Sequence, residues 1–187
     1  MKINYLLIFI NVAIFIIANS LNVHDETIFM GANNNYFVLI QGQYYRLFTA
    51  IFLHTNYIHL LINMFSLFQV GSFLEDGLGK FKFLILYLLS GLGGSLFSML
   101  FQKEVLSVGA SGAIFGLIGA LLAWSVIKNQ WSITKIVILN LALNIIITLT
   151  VPNIDNFGHF GGFFTGFSLG LLLFLTGPNI VLVDNKN

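Results

Sequence analysis

Apolar residues in this chain fall in long runs separated by short polar breaks. A helix that crosses a bilayer needs about 20 mostly apolar residues. Six stretches meet that demand: 3–21, 47–74, 81–101, 111–127, 132–151 and 158–176. The second carries polar residues at its start. Asp76-Gly77-Leu78-Gly79-Lys80 separates the second run from the third. Lys128-Asn129-Gln130 separates the fourth from the fifth, and Pro152 to Asn156 the last two. Pro152 cannot continue a helix, because it lacks the N–H and clashes with the preceding turn. The opening run is long and Ala18-Asn19-Ser20 is a poor cleavage site, so a retained helix is expected rather than a signal peptide. No repeat or second domain is visible, which predicts one domain over 1–187 with a short polar tail at 178–187.

The longest connection, 22–46, is not plainly polar. Phe29, Met30, Tyr36, Phe37, Val38 and Leu39 mix with Gly31 and the Asn33-Asn34-Asn35 run. Such a mixture suits the membrane interface, and an ordinary folded loop has the same composition.

Composition sharpens this picture. The 187 residues are 57% hydrophobic and 8% charged, and mean hydropathy is +0.91. A soluble domain carries about 25% charge, so lipid is the expected solvent. A net charge of +1 offers no electrostatic footprint for nucleic acid. The absence of cysteine excludes disulfides and thiolate metal sites. With six spans, Lys2, Lys80, Lys82, Lys128, Lys135 and Lys186 fall on one side, and Arg46 and Lys103 on the other. That bias predicts cytoplasmic termini and an outward first loop.

Polar residues inside a bilayer are costly and call for a reason. His54 and His59 stand near the start of the second span, His159 at the start of the sixth, and Gly109-Ala110-Ser111-Gly112 opens the fourth. All reach one depth below the outer surface. A serine hydroxyl needs a base to become a nucleophile, and His159 is the candidate base at that depth. Free N–H groups at a helix start also favour a developing oxyanion. The plain alternative is that Ser111 is an N-cap. Spacing bears on the choice. Gly112, Gly116 and Ala120 are four apart, as are Gly158, Gly162, Gly166 and Gly170. Each series forms a smooth ridge that lets membrane helices approach closely. Packing of the two ridges would bring Ser111 and His159 to the same end of the contact.

His59 and Asn63 are four apart and share a helical face. Both can donate to an oxyanion, and helix–helix hydrogen bonding is the bland alternative. A metal site is not expected, since no carboxylate lies near His54 and His59. No buried carboxylate completes a triad; Asp155, in the loop before His159, is expected to be solvated. The pattern around Ser111 also lacks the G-x-S-x-G of α/β-hydrolases. Asn140, Asn144 and Thr148 line one face of the fifth span, where they would bond a neighbouring helix or line a hydrated gate.

In order along the chain, Tyr45-Arg46-Leu47, the His54-x4-His59-x3-Asn63 spacing, Gly109-Ala110-Ser111-Gly112 and His159-x-x-Gly162-x-x-x-Gly166 resemble the motifs of the rhomboid family. The resemblance covers nearly the whole chain. It implies an all-α membrane protein with a six-transmembrane-helix bundle and a partly membrane-embedded first loop. It further implies an intramembrane serine protease with no cofactor. Its substrates would be transmembrane proteins within the lipid bilayer, with no nucleic acid or metal partner. By position, Ser111 is the nucleophile and His159 the base. His59 and Asn63 assist the oxyanion beside the Ser111 N–H. His54 and Arg46 are structural, as are Gly109, Gly112, Gly158, Gly162 and Gly166, and Glu75 pins the cytoplasmic end of the second helix. The fifth helix would be a lateral gate and the loop from Pro152 to Phe157 a cap. The small residues around Ser111 imply a small pocket for the residue before the cut. Tyr45, Gly158 and Phe115 depart from the family's usual Trp, Ala and Tyr without removing a catalytic group. The compact form points to a bacterial cell membrane. A non-catalytic adaptor of the same fold and a small transporter are the rival readings. Intact Ser111 and His159 oppose the first, and missing inverted repeats and intramembrane carboxylates oppose the second.

Overall fold

The protein is described from a computed structural model covering residues 2–101, 106–150 and 154–176. Its elements in chain order are α1 (Ile3–Ser20), α2 (His24–Gly31), a π-turn (Tyr36–Ile40), α3 (Arg46–Thr49) and a 3₁₀ turn (Ala50–Phe52). There follow α4 (Tyr57–Ser66), a second π-turn (Leu67–Gly71), α5 (Ser72–Leu78), α6 (Lys80–Phe101), α7 (Ser111–Ile127), α8 (Trp131–Thr150) and α9 (Asn156–Thr176). No strand occurs among the described residues, only one backbone pairing between Asn33 and Ser107. Four described stretches are long and apolar enough to cross a membrane: Ile3–Ser20, Tyr57–Leu78, Lys80–Phe101 and Asn156–Leu175. The fold is an all-α membrane bundle. The side chains of Asn140, Asn144 and Thr148, together with Pro152 and the polar tail, lie outside the described residues.

The second span differs from the reading by hydropathy. It begins at Tyr57, not at Leu47, and runs on to Leu78. Leu53 and Asn56 are extended, and the Asn56 side chain accepts the His59 N–H at 2.9 Å. That N-cap starts the helix. Residues 47–56, counted into the same apolar run by the sequence, instead fold as short turns and an extended strap, with Ala50, Ile51, Leu53 and His54 buried. Hydropathy measures removal from water, and the protein interior satisfies it as well as lipid does.

Helix α7 is the axis of the bundle. Ala113, Ile114, Leu117, Ala120 and Ala123 are buried on it, and α9 and α6 pack most closely around it. Its 17 residues make about 26 Å at 1.5 Å per residue, against about 30 Å of hydrocarbon. A short central helix can end inside the bilayer's span while its neighbours reach the surface.

The glycine ridges of α7 and α9 interlock in register. A Cβ on Gly162 would run into the backbone of Gly112, and one on Gly166 into the backbone of Gly116. One on Gly170 would come within 2.7 Å of Ala120 Cα. Helix α6 joins through Gly94, where a Cβ would stand 2.7 Å from the Gly158 carbonyl oxygen. Backbone meets backbone here, so a side chain has nowhere to relax.

The opposite end is tied by Glu75. This buried carboxylate accepts the N–H groups of Ile3 at 2.7 Å and Asn4 at 2.9 Å. It thereby satisfies donors at the start of α1 that have no partner inside that helix. Helix α8 packs on α7, with the Thr134 hydroxyl donating to Ser125 Oγ at 2.9 Å.

Gly166→Ala is expected to destabilise the bundle by about 1–3 kcal/mol, the usual cost of overpacking. Thermal unfolding in detergent micelles checks this. An unchanged midpoint would mean that the two ridges do not meet.

Candidate active site

Ser111 is the first residue of α7, and its neighbour Ala110 occupies the N-cap position without any side-chain capping bond. The hydroxyl is therefore not an N-cap. It lies instead 2.9 Å from His159 Nε2, across 48 residues of sequence. His159 stands in the first turn of α9, its backbone N–H bonded to the Asp155 carbonyl at 3.1 Å. The Phe115 ring, one turn below Ser111 on α7, stacks on the imidazole with centroids 4.2 Å apart and an 11° tilt. Stacking holds the ring plane, and the Gly112–Gly158–Gly162 contact holds the two helix starts together. For the Ser111 hydroxyl to donate to Nε2, the ring proton must sit on Nδ1. Nδ1 has no hydrogen-bond partner among the described residues, so no carboxylate completes a triad there.

Asp155 is not simply solvated, contrary to the sequence expectation. Its Oδ1 accepts the Gly158 N–H at 2.7 Å, capping α9, and its Oδ2 accepts from Ser107 Oγ. Ser107 is in turn paired through its backbone with Asn33 in the first loop. The residue was misjudged because the hydropathy of its loop says nothing about a cap three residues on.

His59 lies in the first turn of α4, with its ring edge against Gly109. A Cβ on Gly109 would be 2.8 Å from His59 Nε2 and 3.5 Å from Ser111 Oγ. Gly109 has φ +130°, a conformation that L side chains rarely adopt. Both facts demand glycine before Ser111, and together they place the His59 ring beside the Ser111 hydroxyl. Asn63 is buried one turn on, and one of its two amide N–H groups donates to the His59 carbonyl at 2.9 Å. His54 is buried on the strap before α4, not on that helix, and its ring meets His59 edge-on at 5.0 Å.

Arg46 is farther off, buried in the first loop. It donates to the Phe29 and Ala32 carbonyls at 2.7 and 2.9 Å and to Gln43 at 2.6 Å, and sits 4.3 Å over the Phe37 ring. It organises that loop and does not touch Ser111 or His159. No group of three His, Asp or Glu able to hold a metal ion occurs among the described residues.

A small cavity behind Ser111 is lined by Gly91, Gly94, Ser107, Gly109, Asp155 and His159 among others. Of these, Gly91, Gly94 and Ser107 carried no weight in the sequence reading. Gly91-Leu92-Gly93-Gly94 in the third span was the available signal.

The molecule is thus a membrane bundle holding a half-buried hydroxyl–imidazole pair at the start of its central helix. A family model described as the Rhomboid domain matches residues 41–176, and the chain belongs to the rhomboid family. RHOMBOID-like protein 1 of Arabidopsis thaliana is 40% identical over 163 residues, 84% of this chain and 41% of that protein. Rhomboid protease GluP of Bacillus subtilis (strain 168) is 38% identical over 170 residues, 87% of this chain and 33% of that protein. Inactive RHOMBOID-like protein 8 of A. thaliana is 38% identical over 124 residues, 64% of this chain and 35% of that protein. The chain spans less than half the length of these relatives. The family is integral to membranes and includes serine proteases as well as inactive members.

Gly109→Ala is expected to leave the bundle folded but to push the His59 ring and Ser111 apart. Ser111 should then react with a fluorophosphonate at least about tenfold more slowly, a barrier increase of about 1.4 kcal/mol. Wild-type labelling rates in this variant would contradict the described packing.

Proposed function

We propose that this chain is an intramembrane serine endopeptidase that hydrolyses peptide bonds in or near transmembrane segments of membrane proteins, using a Ser111–His159 dyad. The observation that carries the reading is the 2.9 Å contact between Ser111 Oγ and His159 Nε2, made between two helices too closely packed to separate freely.

His159 takes the Ser111 proton as Oγ attacks the scissile carbonyl carbon. The carbonyl π electrons move onto oxygen, and the oxyanion is met by the Ser111 N–H, His59 and the remaining amide N–H of Asn63. The C–N bond then breaks, and His159 returns the proton to the leaving amine. Water next attacks the acyl-enzyme by the same route, releasing the acid and restoring Ser111. Each oxyanion donor of this kind is worth about 10²–10³ in rate, and the general base about 10²–10⁴.

The reading includes a single membrane domain, a bacterial cell membrane and cytoplasmic termini, the last supported by the lysine bias. A non-catalytic adaptor is the second reading, favoured by the relative named inactive. The dyad contact weighs against it.

Cleavage of a model transmembrane substrate in liposomes separates them. Wild type should cleave and label with a fluorophosphonate. Ser111→Ala should do neither, and His159→Ala should lose at least about 10²-fold in rate. Cleavage that persists in Ser111→Ala would remove Ser111 from the mechanism, and a wild type that binds substrate without cutting would favour the adaptor.

A further inference from the structure

The protease reading assigns His59 a hydrogen-bond donor's task, and an imidazole can donate from Nε2 only if the proton is there. We infer that Thr55 is a positioning residue that fixes the tautomer of His59, keeping the proton on Nε2 and aimed at the site beside Ser111. The inference rests on the proposed function for its catalytic consequence, and on the hydrogen bonds around Thr55 for its substance.

Asn56 sets the first link. Its side-chain oxygen accepts the His59 backbone N–H at 2.9 Å. A backbone N–H can only donate, so the amide orientation is decided, and the Asn56 Nδ2 faces the other way. There it donates to Thr55 Oγ1 at 3.3 Å. Thr55 Oγ1 lies 3.2 Å from His59 Nδ1; its oxygen already accepts from Asn56, and on this inference its one hydrogen is directed to Nδ1. A neutral imidazole that accepts at Nδ1 carries its proton on Nε2. That nitrogen is the one lying against Gly109, on the Ser111 side. The opposite tautomer would present a bare lone pair where negative charge develops.

Thr55 is itself held by the one histidine that the motifs left unexplained. The Asn19 amide nitrogen donates to the Phe15 carbonyl at 2.8 Å and lies 3.2 Å from His24 Nδ1. The same logic makes His24 Nδ1 an acceptor and its Nε2 a donor, here to the Thr55 carbonyl at 3.2 Å. The end of α1 thus steadies the residue that orients His59. The His54 ring closes the other side, edge-on at 5.0 Å.

Thr55→Val keeps the shape and removes the hydroxyl; Thr55→Ser restores it. In the full chain, Thr55→Val is expected to lower kcat on a transmembrane substrate about tenfold with KM unchanged, and Thr55→Ser to recover most of the loss. The ¹⁵N spectrum of the imidazoles, assigned with His59→Gln, should show a protonated Nε2 and bare Nδ1 for His59 in wild type and a tautomer mixture in Thr55→Val. A wild-type spectrum with the proton on Nδ1 overturns the inference, and so does a Thr55→Val enzyme with wild-type kcat. Should Thr55→Val fail to fold, the wild-type spectrum decides alone. A wild type that hydrolyses nothing while showing protonated Nε2 would sink the protease reading and leave the tautomer assignment standing.

Discussion

Two helix backbones in van der Waals contact decide most of what this molecule is. In lipid there is no hydrophobic gain from pairing two apolar helices, so close packing must supply the attraction. Dispersion falls steeply with distance, and only glycine lets α7 and α9 come near enough for it to matter along their length. The contacts of Gly162 with Gly112, Gly166 with Gly116 and Gly170 with Ala120 then admit one register. A slip of one turn would move His159 by about 5.4 Å along its axis, and the 2.9 Å bond to Ser111 would be lost.

A second regularity concerns charge. The buried or half-buried ionisable groups Arg46, Glu75 and Asp155 meet backbone groups rather than opposite charges. Arg46 collects carbonyls of the first loop, Glu75 caps α1 and Asp155 caps α9. Each answers the same problem, that chain turns and helix ends leave polar backbone groups without partners away from water. Through the Asn33–Ser107 pairing and the Ser107–Asp155 contact, the first loop is linked to the start of α9, four residues before His159. The scaffold that solves a desolvation problem is therefore the same scaffold that aims the imidazole.

Much of this was legible beforehand. Helices α6 and α7 start within a residue of where the apolar runs place them, because Gly79 and Gly109, both at positive φ, are local breakers whose effect needs no partner. The four-residue spacing of the small ridges was equally local. Residues 47–56 were misread because their apolar character is spent on protein contacts, and Asp155 because its partners lie elsewhere in the chain. Thr55 and Asn56 read as ordinary polar residues until Asn56 was seen to open α4 and Thr55 to reach His59.

By itself, the amino-acid order determined the solvent, the helices and the two smooth faces, since burial cost, periodicity and glycine's missing side chain act within a few turns. It also named serine and histidine as the unusual groups beside the starts of apolar runs. Only the tertiary structure decided that Ser111 is the first helical residue and not the cap, that His159 reaches it across 48 residues, and that His54 stands off the helix. Those outcomes depend on register and on distances between segments far apart in the chain, which no local spacing encodes.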